Sequence, residues 1–331
     1  MPEAGPVSGN GQLDELVHAG GVELPGLLEE VEQRLRDIAG GGSAPVAHWG
    51  AATIAAGGKR MRPLLVLLAA GPPPADPARL IRAAVAIELV HAATLIHDDI
   101  LDVAPLRRGH RTVWAAAGRE IATATGDALF ARAFAELALN DDAGQVRLLS
   151  HASSALARGE LLQREDAWNV DVSVDRYLER CELKTATLFE VACELGRRNA
   201  PSQSSPSLRV FGRRIGLAFQ LLDDVLDVSG PVERTGKPRG ADLLDGTITL
   251  PLILARAEDA ALAAIDPRSI DSAEAAEHVC DAIAATGALD VVRGRALALV
   301  EEAKASLPPV LAAQQRRALE LVAANVVERY S

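Results

Sequence analysis

The sequence predicts an all-α fold, and three observations carry that prediction. Hydrophobic residues make up 49% of the 331 positions and aromatics only 3%. This alanine- and leucine-rich mix suits helix packing better than a sheet of aromatic and β-branched side chains. Two long apolar runs, AAVAIELVHAATLIHDDILD and RRIGLAFQLLDDVLD, contain no proline and read as helices. No stretch alternates with period two, and no fixed-period repeat occurs. The length fits one large helical domain, expected over residues 21–331 behind a Gly/Pro/Ser-rich, disordered segment at 1–20.

The elements follow in order. An amphipathic helix is expected from about Leu24 to Ile38, stopped by Gly40-Gly41-Gly42, and a second from about Val46 to Ala56 before Gly57-Gly58. Pro63 suits the first turn of a short buried helix through Leu68. After the GPPPADP loop comes the first long apolar helix, ending at Asp102, then a basic loop, PLRRGHR. Further helices are expected near 120–139, 144–164 and 174–198, with Pro201 and Pro206 in the loop beyond. The second long apolar helix runs to Val228 and stops at Gly230-Pro231. A loop dense in glycine and charge, ERTGKPRGADLLDGT, leads to helices near 250–264, 272–305 (broken at Gly287) and 307–329.

Composition narrows the function classes. A formal charge of −11 argues against a nucleic-acid partner. Cys181, Cys193 and Cys280 have neither disulfide nor zinc spacing, which makes a reducing cytoplasm the expected location. The N-terminus has no signal-peptide order, and no apolar stretch is expected to span a membrane without a charge or proline. A soluble protein is expected.

Two acidic clusters of one pattern, Asp98-Asp99-x-x-Asp102 and Asp223-Asp224-x-x-Asp227, close the two long apolar helices. Residues three or four apart share a helical face, so the first and last aspartates of each cluster project together. Such a trio on an apolar helix is costly unless a cation sits against it. Oxygen-only ligands favour a hard ion such as Mg²⁺, which keeps waters and shares a substrate's phosphates. One cluster alone is equally well a solvated helix end. Two copies point to a diphosphate clamped through metal ions between facing helices.

The remaining unusual residues are basic. Gly58-Lys59-Arg60-x-Arg62-Pro63 puts three cations in a glycine-led turn at a helix start, a place where backbone N–H groups and arginine forks grip phosphate; a solvated basic turn is the plain alternative. Arg107-Arg108 follow the first cluster in a loop able to fold back over a bound phosphate, although loop arginines are usually surface charge. Lys184 and Thr185 stand mid-helix among apolar neighbours, where a lysine either snorkels or meets a buried anion. Gln220 shares a face with Asp223, and Lys237 lies in the loop beyond.

These elements resemble the trans-polyprenyl diphosphate synthases, over roughly residues 45–255. The pattern stands as GGKRMRP at 57–63, HAATLIHDDILD at 91–102, RRG at 107–109, GD at 126–127 and GELLQ at 159–163. It continues as KTATLF at 184–189, FQLLDDVLD at 219–227, TGKPRGADL at 235–243 and TLP at 249–251. The resemblance implies an isoprenoid-synthase-type helical bundle around a deep central cavity, commonly a homodimer. It implies that Gly58, Lys59, Arg62, His91 and Arg108 hold isopentenyl diphosphate, and that Arg107, Lys184, Thr185, Gln220 and Lys237 contact the allylic diphosphate. Asp98, Asp99, Asp102, Asp223 and Asp227 match ligands of Mg²⁺, about three ions per active site, with Asp98, Asp102, Lys184 and Asp223 catalytic. The substrates would be these two small diphosphates, with the product handed to membrane enzymes.

Two departures stand out. Thr247 occupies a position where the family often has lysine, and Arg111 one where proline is usual. Neither touches an aspartate cluster, so an active enzyme is expected. Ala93 and Thr94, five and four residues before Asp98, are expected to line the tunnel behind the allylic tail. Each helical turn of about 5.4 Å leaves room for roughly one more five-carbon unit. Alanines at 83, 84, 86, 92 and 93 therefore predict a medium- or long-chain product. Alternatively these alanines only let helices pack closely, and Phe130, Phe134 or Trp114 closes the tunnel at a geranylgeranyl-sized product. A class I terpene cyclase would have an Asn/Ser/Glu motif in place of the second cluster. A non-catalytic synthase subunit would tend to lose one cluster.

Overall fold

A computed structural model of the chain describes residues 19–71, 74, 76–107, 109–202, 205–230 and 239–328. Most of the segment expected to be disordered, together with Arg108 and Lys237, lies outside the described residues. The order is α1 (Leu24–Ala39), α2 (Ala44–Ala55), α3 (Met61–Ala70), α4 (Pro77–Leu101), a two-strand hairpin, α5 (Val113–Ala117), α6 (Arg119–Ala138), α7 (Ala143–Glu165) and α8 (Val174–Cys181). One π-helical turn, Glu182–Ala186, joins α8 to α9 (Thr187–Arg198). There follow α10 (Arg209–Ser229), α11 (Ala241–Leu244), α12 (Leu250–Glu258), α13 (Ala260–Ala264), α14 (Ala273–Ala285), α15 (Ala288–Ala305) and α16 (Ala313–Glu328). The all-α expectation holds.

Local chemistry sets the helix starts. Asp76 accepts the Arg79 N–H at 3.2 Å and Pro77 opens α4, while Asp142 caps α7 through the N–H groups of Gly144 and Gln145. Ser173 caps α8 and Ser272 caps α14 in the same way. A short helix absent from the sequence expectation, α5, is capped by Thr112, which accepts the Ala115 N–H at 3.1 Å; Gly118 at φ +86° then turns the chain into α6. No strand was expected, yet Leu106–Arg107 pairs antiparallel with His110–Arg111. Gly109 at φ +78° lets this turn close.

The core surrounds α4. Residues 83–90 of α4 are all buried, and the helix packs against α1, α3, α6, α7 and α9. It is long and apolar enough to cross a membrane by length and composition, but it carries charges, Arg82 and Glu88 among them, and 72% of its apolar window is buried inside the bundle. The alanines at 83, 84, 86 and 93 have no exposure at all, so they serve close helix packing. On the other side α10 packs against α9, the π-turn, α14, α15 and α16. The paired aspartate helices thus both lean on α9, and α10 leans also on the turn that precedes it.

That turn is pressed from two sides. A Cβ on Gly159 of α7 would lie 2.7 Å from the Lys184 backbone nitrogen, and one on Gly216 of α10 would lie 2.6 Å from Ala186 Cα. Backbone atoms cannot give way as a flexible side chain can. Gly159→Ala and Gly216→Ala should each destabilise the fold by about 1–3 kcal/mol, whereas Gly294→Ala, with nothing within 4 Å, should be neutral or stabilising. Denaturant melts of the three variants check this, and equal behaviour of all three would contradict the packing described.

Candidate active site

A chamber of about 700 Å³ opens between the aspartate ends of α4 and α10. Asp98 and Asp102 line it from one side, Asp223 and Asp224 from the other. A second chamber of about 490 Å³, with more apolar than polar lining surface, lies beside it. The two share Arg62, His91, Leu95, Asp98, Lys184, Phe219 and Gln220, so they adjoin along that wall as a more charged upper chamber and a more apolar lower one.

Of the residues singled out in the sequence, Gly58, Lys59, Arg62, His91, Arg107, Lys184 and Gln220 line the first chamber beside the aspartates. Thr185 and Thr94 line the second. Three expected residues need correction in position. Asp99 follows Asp98 by about 100° of helix and turns aside to accept from Arg107 Nε at 2.7 Å. Asp227 is buried, and its Oδ2 accepts the Asp242 N–H at 3.2 Å; it anchors the returning segment, while Asp224 takes a place on the chamber wall. Ala93 lies fully in the core and lines neither chamber. Phe130 lines the lower chamber instead, with His97 stacked on it at 5.8 Å between ring centroids. His97 fits there because residue 126 is glycine, since a Cβ would collide with the imidazole. Phe134 and Trp114 are not among the lining residues.

Charges alternate around the first cluster. Lys184 Nζ lies 4.0 Å from Asp98 Oδ2 and 2.5 Å from Glu160 Oε2, and donates to Gln163 Oε1 at 3.2 Å. Arg164 Nε donates to Glu160 Oε1 at 3.1 Å, and its terminal nitrogen donates to Asp102. Burial pushes Asp98 up to about 6, against the pull of Lys184 and with added repulsion from Glu160 and Asp102. The second cluster is held by neutral donors. Tyr177 Oη donates to Asp224 Oδ2 at 2.6 Å and Gln220 Nε2 to Asp224 Oδ1 at 2.8 Å, while Gln220 Oε1 accepts from Thr185 at 2.6 Å. Burial and the nearby Asp242 push Asp224 up to about 7 despite those donors.

The basic turn divides its labour. Arg60, at φ +47°, pairs its guanidinium with Glu32 and with buried Glu88, and it lines the chamber together with Lys59 and Arg62. The Arg62 guanidinium stacks 4.8 Å above the Phe189 ring. Sequence reasoning missed Glu160, Gln163 and Arg164, although GELLQR places them at helical i, i+3 and i+4. It also missed Tyr177, for which the sequence carries no signal.

The comparisons with known proteins fit this geometry. The family profile described as polyprenyl synthetase matches residues 46–285. This chain belongs to the polyprenyl synthetase family. Heptaprenyl diphosphate synthase component 2 of Geobacillus stearothermophilus is 39% identical, over 81% of this chain and 83% of that protein. Geranylgeranyl diphosphate synthase of Methanosarcina mazei is 33% identical, over 83% of this chain and 86% of its own length. The crystal structure of a polyprenyl synthase from Caulobacter crescentus, complexed with calcium and isoprenyl diphosphate, superposes with a TM-score of 0.85 at 33% identity, covering 96% of this chain and 98% of that one.

The raised carboxyls of this polyprenyl synthetase have a measurable consequence. Asp98 and Asp224 ordinarily titrate near 3.8, so between pH 8 and 6 the folded protein binds more protons than the unfolded chain. Its stability must therefore rise as pH falls through that window. The metal-free protein should melt at a higher temperature at pH 6 than at pH 8, and Asp224→Asn should flatten the difference. A melting temperature that falls toward pH 6 would contradict these environments.

Proposed function

We propose that this polyprenyl synthetase condenses isopentenyl diphosphate head-to-tail with an allylic diphosphate, in a Mg²⁺-dependent reaction that yields an all-trans prenyl diphosphate. The single observation that carries the reading is the juxtaposition of the two chambers: paired aspartates and cations line one, and a more apolar space adjoins it across a shared wall. The donor set fits a hard divalent cation. Its facing groups are carboxylate oxygens, and burial pushes Asp98 and Asp224 toward their neutral forms, so that a bound cation would favour the ionised ones. Among the described residues no three ligands form a ready-made cage, which suits an ion held through one or two carboxylates together with substrate phosphates. The bound calcium of the Caulobacter protein supports the same chemistry.

When bound, Mg²⁺ supplies positive charge to the departing diphosphate. On the protein side, Asp98, Asp102 and Asp223 would hold the ions, with Lys184 placed beside Asp98 to meet the leaving oxygens. Gln220 and Thr185, already bonded to each other, would orient the allylic diphosphate alongside Arg107. Lys59, Arg62 and His91 would grip isopentenyl diphosphate on the opposite wall. Breaking the allylic C–O bond leaves a carbocation, which the double bond of isopentenyl diphosphate attacks. A proton then leaves to the released diphosphate. Leu95, Leu156, Leu188 and Phe219 line the lower chamber and would keep water from the cation.

A medium- or long-chain product remains the proposed outcome, with Phe130 and His97 rather than Ala93 as the ruler. The ring of Phe130 on the chamber wall favours a geranylgeranyl-sized product as the second reading. We also propose a homodimeric, cytoplasmic enzyme that passes its product to membrane enzymes. The name of the Geobacillus relative, a component 2, makes an unlike partner subunit the competing arrangement.

Incubation with labelled isopentenyl diphosphate, allylic primers and Mg²⁺ tests the activity. Elongated prenyl diphosphates are expected, with turnover abolished by chelator and reduced at least about a hundredfold in Asp98→Asn and Asp223→Asn; cyclic hydrocarbons or no turnover would sink the reading. Phe130→Ala should lengthen the product by one or more units on reversed-phase chromatography. An unchanged product spectrum would remove Phe130 as the ruler.

A further inference from the structure

Arg164 stands one turn beyond Glu160 on α7 and reaches across the rim of the upper chamber. Its Nε donates to Glu160 Oε1 at 3.1 Å, one terminal nitrogen donates to Asp102, and the other lies 3.8 Å from Asp245 Oδ1. One guanidinium therefore answers three carboxylates, brought by α7, by the end of α4 and by the segment after α11. Asp102 and Asp245 both line the chamber and are close enough to repel each other. Thr247 offers Asp245 only a neutral hydroxyl, at 3.2 Å. Arg164 is thus the charge that lets these two acids face one another. Its side chain is 31% exposed, so it can withdraw toward solvent without leaving a sealed pocket.

Resting on the reading of Asp98 and Asp102 as metal-binding residues, we propose that Arg164 is a resident counter-ion that occupies Asp102 before the metal arrives and sets the metal concentration at which the site fills. The Asp102 oxygen that accepts from Arg164 must exchange a charge-assisted hydrogen bond for the incoming cation, and the two positive charges repel across a short distance. Arg164 keeps Glu160 and Asp245 as partners after releasing Asp102, so the exchange does not strand a charge. Glu160 is steadied by Lys184 at 2.5 Å, which fixes the pivot about which Arg164 moves. Arg164 is on this view a positioning residue.

The test is a calorimetric titration of the full-length protein with Mg²⁺ in the presence of inorganic diphosphate and without allylic substrate, followed in parallel by the rise in melting temperature. Arg164→Gln should fill at a metal concentration about three- to ten-fold lower than the wild type, while Arg164→Lys, which keeps the charge and loses the fork, should fall between them. A midpoint in Arg164→Gln that is unchanged or higher overturns the proposal. Should Arg164→Gln fail to fold, Arg164→Lys decides by the same criterion. Asp102→Asn separates this inference from the reading beneath it. Metal binding indifferent to Asp102→Asn removes the metal assignment, whereas binding lost in Asp102→Asn with an unmoved midpoint in Arg164→Gln removes only the role of Arg164.

Discussion

Mutual repulsion among carboxylates, set into the upper end of an apolar bundle, is the constraint to which the site is built, and the chain answers it differently on its two walls. On the α4 side the acids alternate with resident cations, running Asp98, Lys184, Glu160, Arg164, Asp102. On the α10 side, among the described residues, Asp224 accepts from the hydroxyl of Tyr177 and the amide of Gln220. Burial first, and then the nearby Asp242, push Asp224 up to about 7, and neutral donors, which stabilise an anion less than an ammonium or guanidinium does, only partly oppose that. One wall is charge-balanced by its own side chains, while on the other Asp224 rests, among the described residues, on neutral donors. A site of this kind is stable enough to fold and still strongly inclined to take up a positively charged ligand.

Position, rather than chemistry alone, explains how Lys184 comes to serve this site. An isolated lysine on an apolar helix face would snorkel outward. Here the π-turn at Glu182–Ala186 inserts an irregular step, and glycines on α7 and α10 let both helices close on it. The ammonium is delivered by the path of the backbone, so its placement relies little on side-chain freedom.

Much of this was legible in the sequence. The helical class, the two aspartate clusters, the basic turn and the KTATLF segment all follow from periodicity, spacing and residue type, and the clusters do share a chamber. What the sequence hid has identifiable physical causes. Adjacent residues on a helix diverge by about 100°, so membership in a cluster did not tell that Asp99 would be drawn off by Arg107 while Asp224 would face inward. Alanine is ambiguous between a tunnel wall and a close helix contact, and at Ala83, Ala84, Ala86 and Ala93 the structure resolves it as contact. Arg60 and Arg62 look equivalent in GGKRMRP, but buried Glu88, which comes from a different helix, claims the first. The pairing of Tyr177 with Asp224 spans 47 positions and leaves no local trace.

The shared boundary of the two chambers, where Lys184, Phe219 and Gln220 belong to both, separates head from tail. Asp102, Asp223, Lys59 and Arg107 line the upper chamber alone, and Phe130, Leu156 and Leu188 the lower one alone. On the proposed reading, a substitution at Phe130 leaves the aspartate clusters untouched, so one fold can be retuned to different lengths without relearning its reaction. That modularity offers a physical reason why relatives sharing a third of this sequence carry names with such different carbon counts.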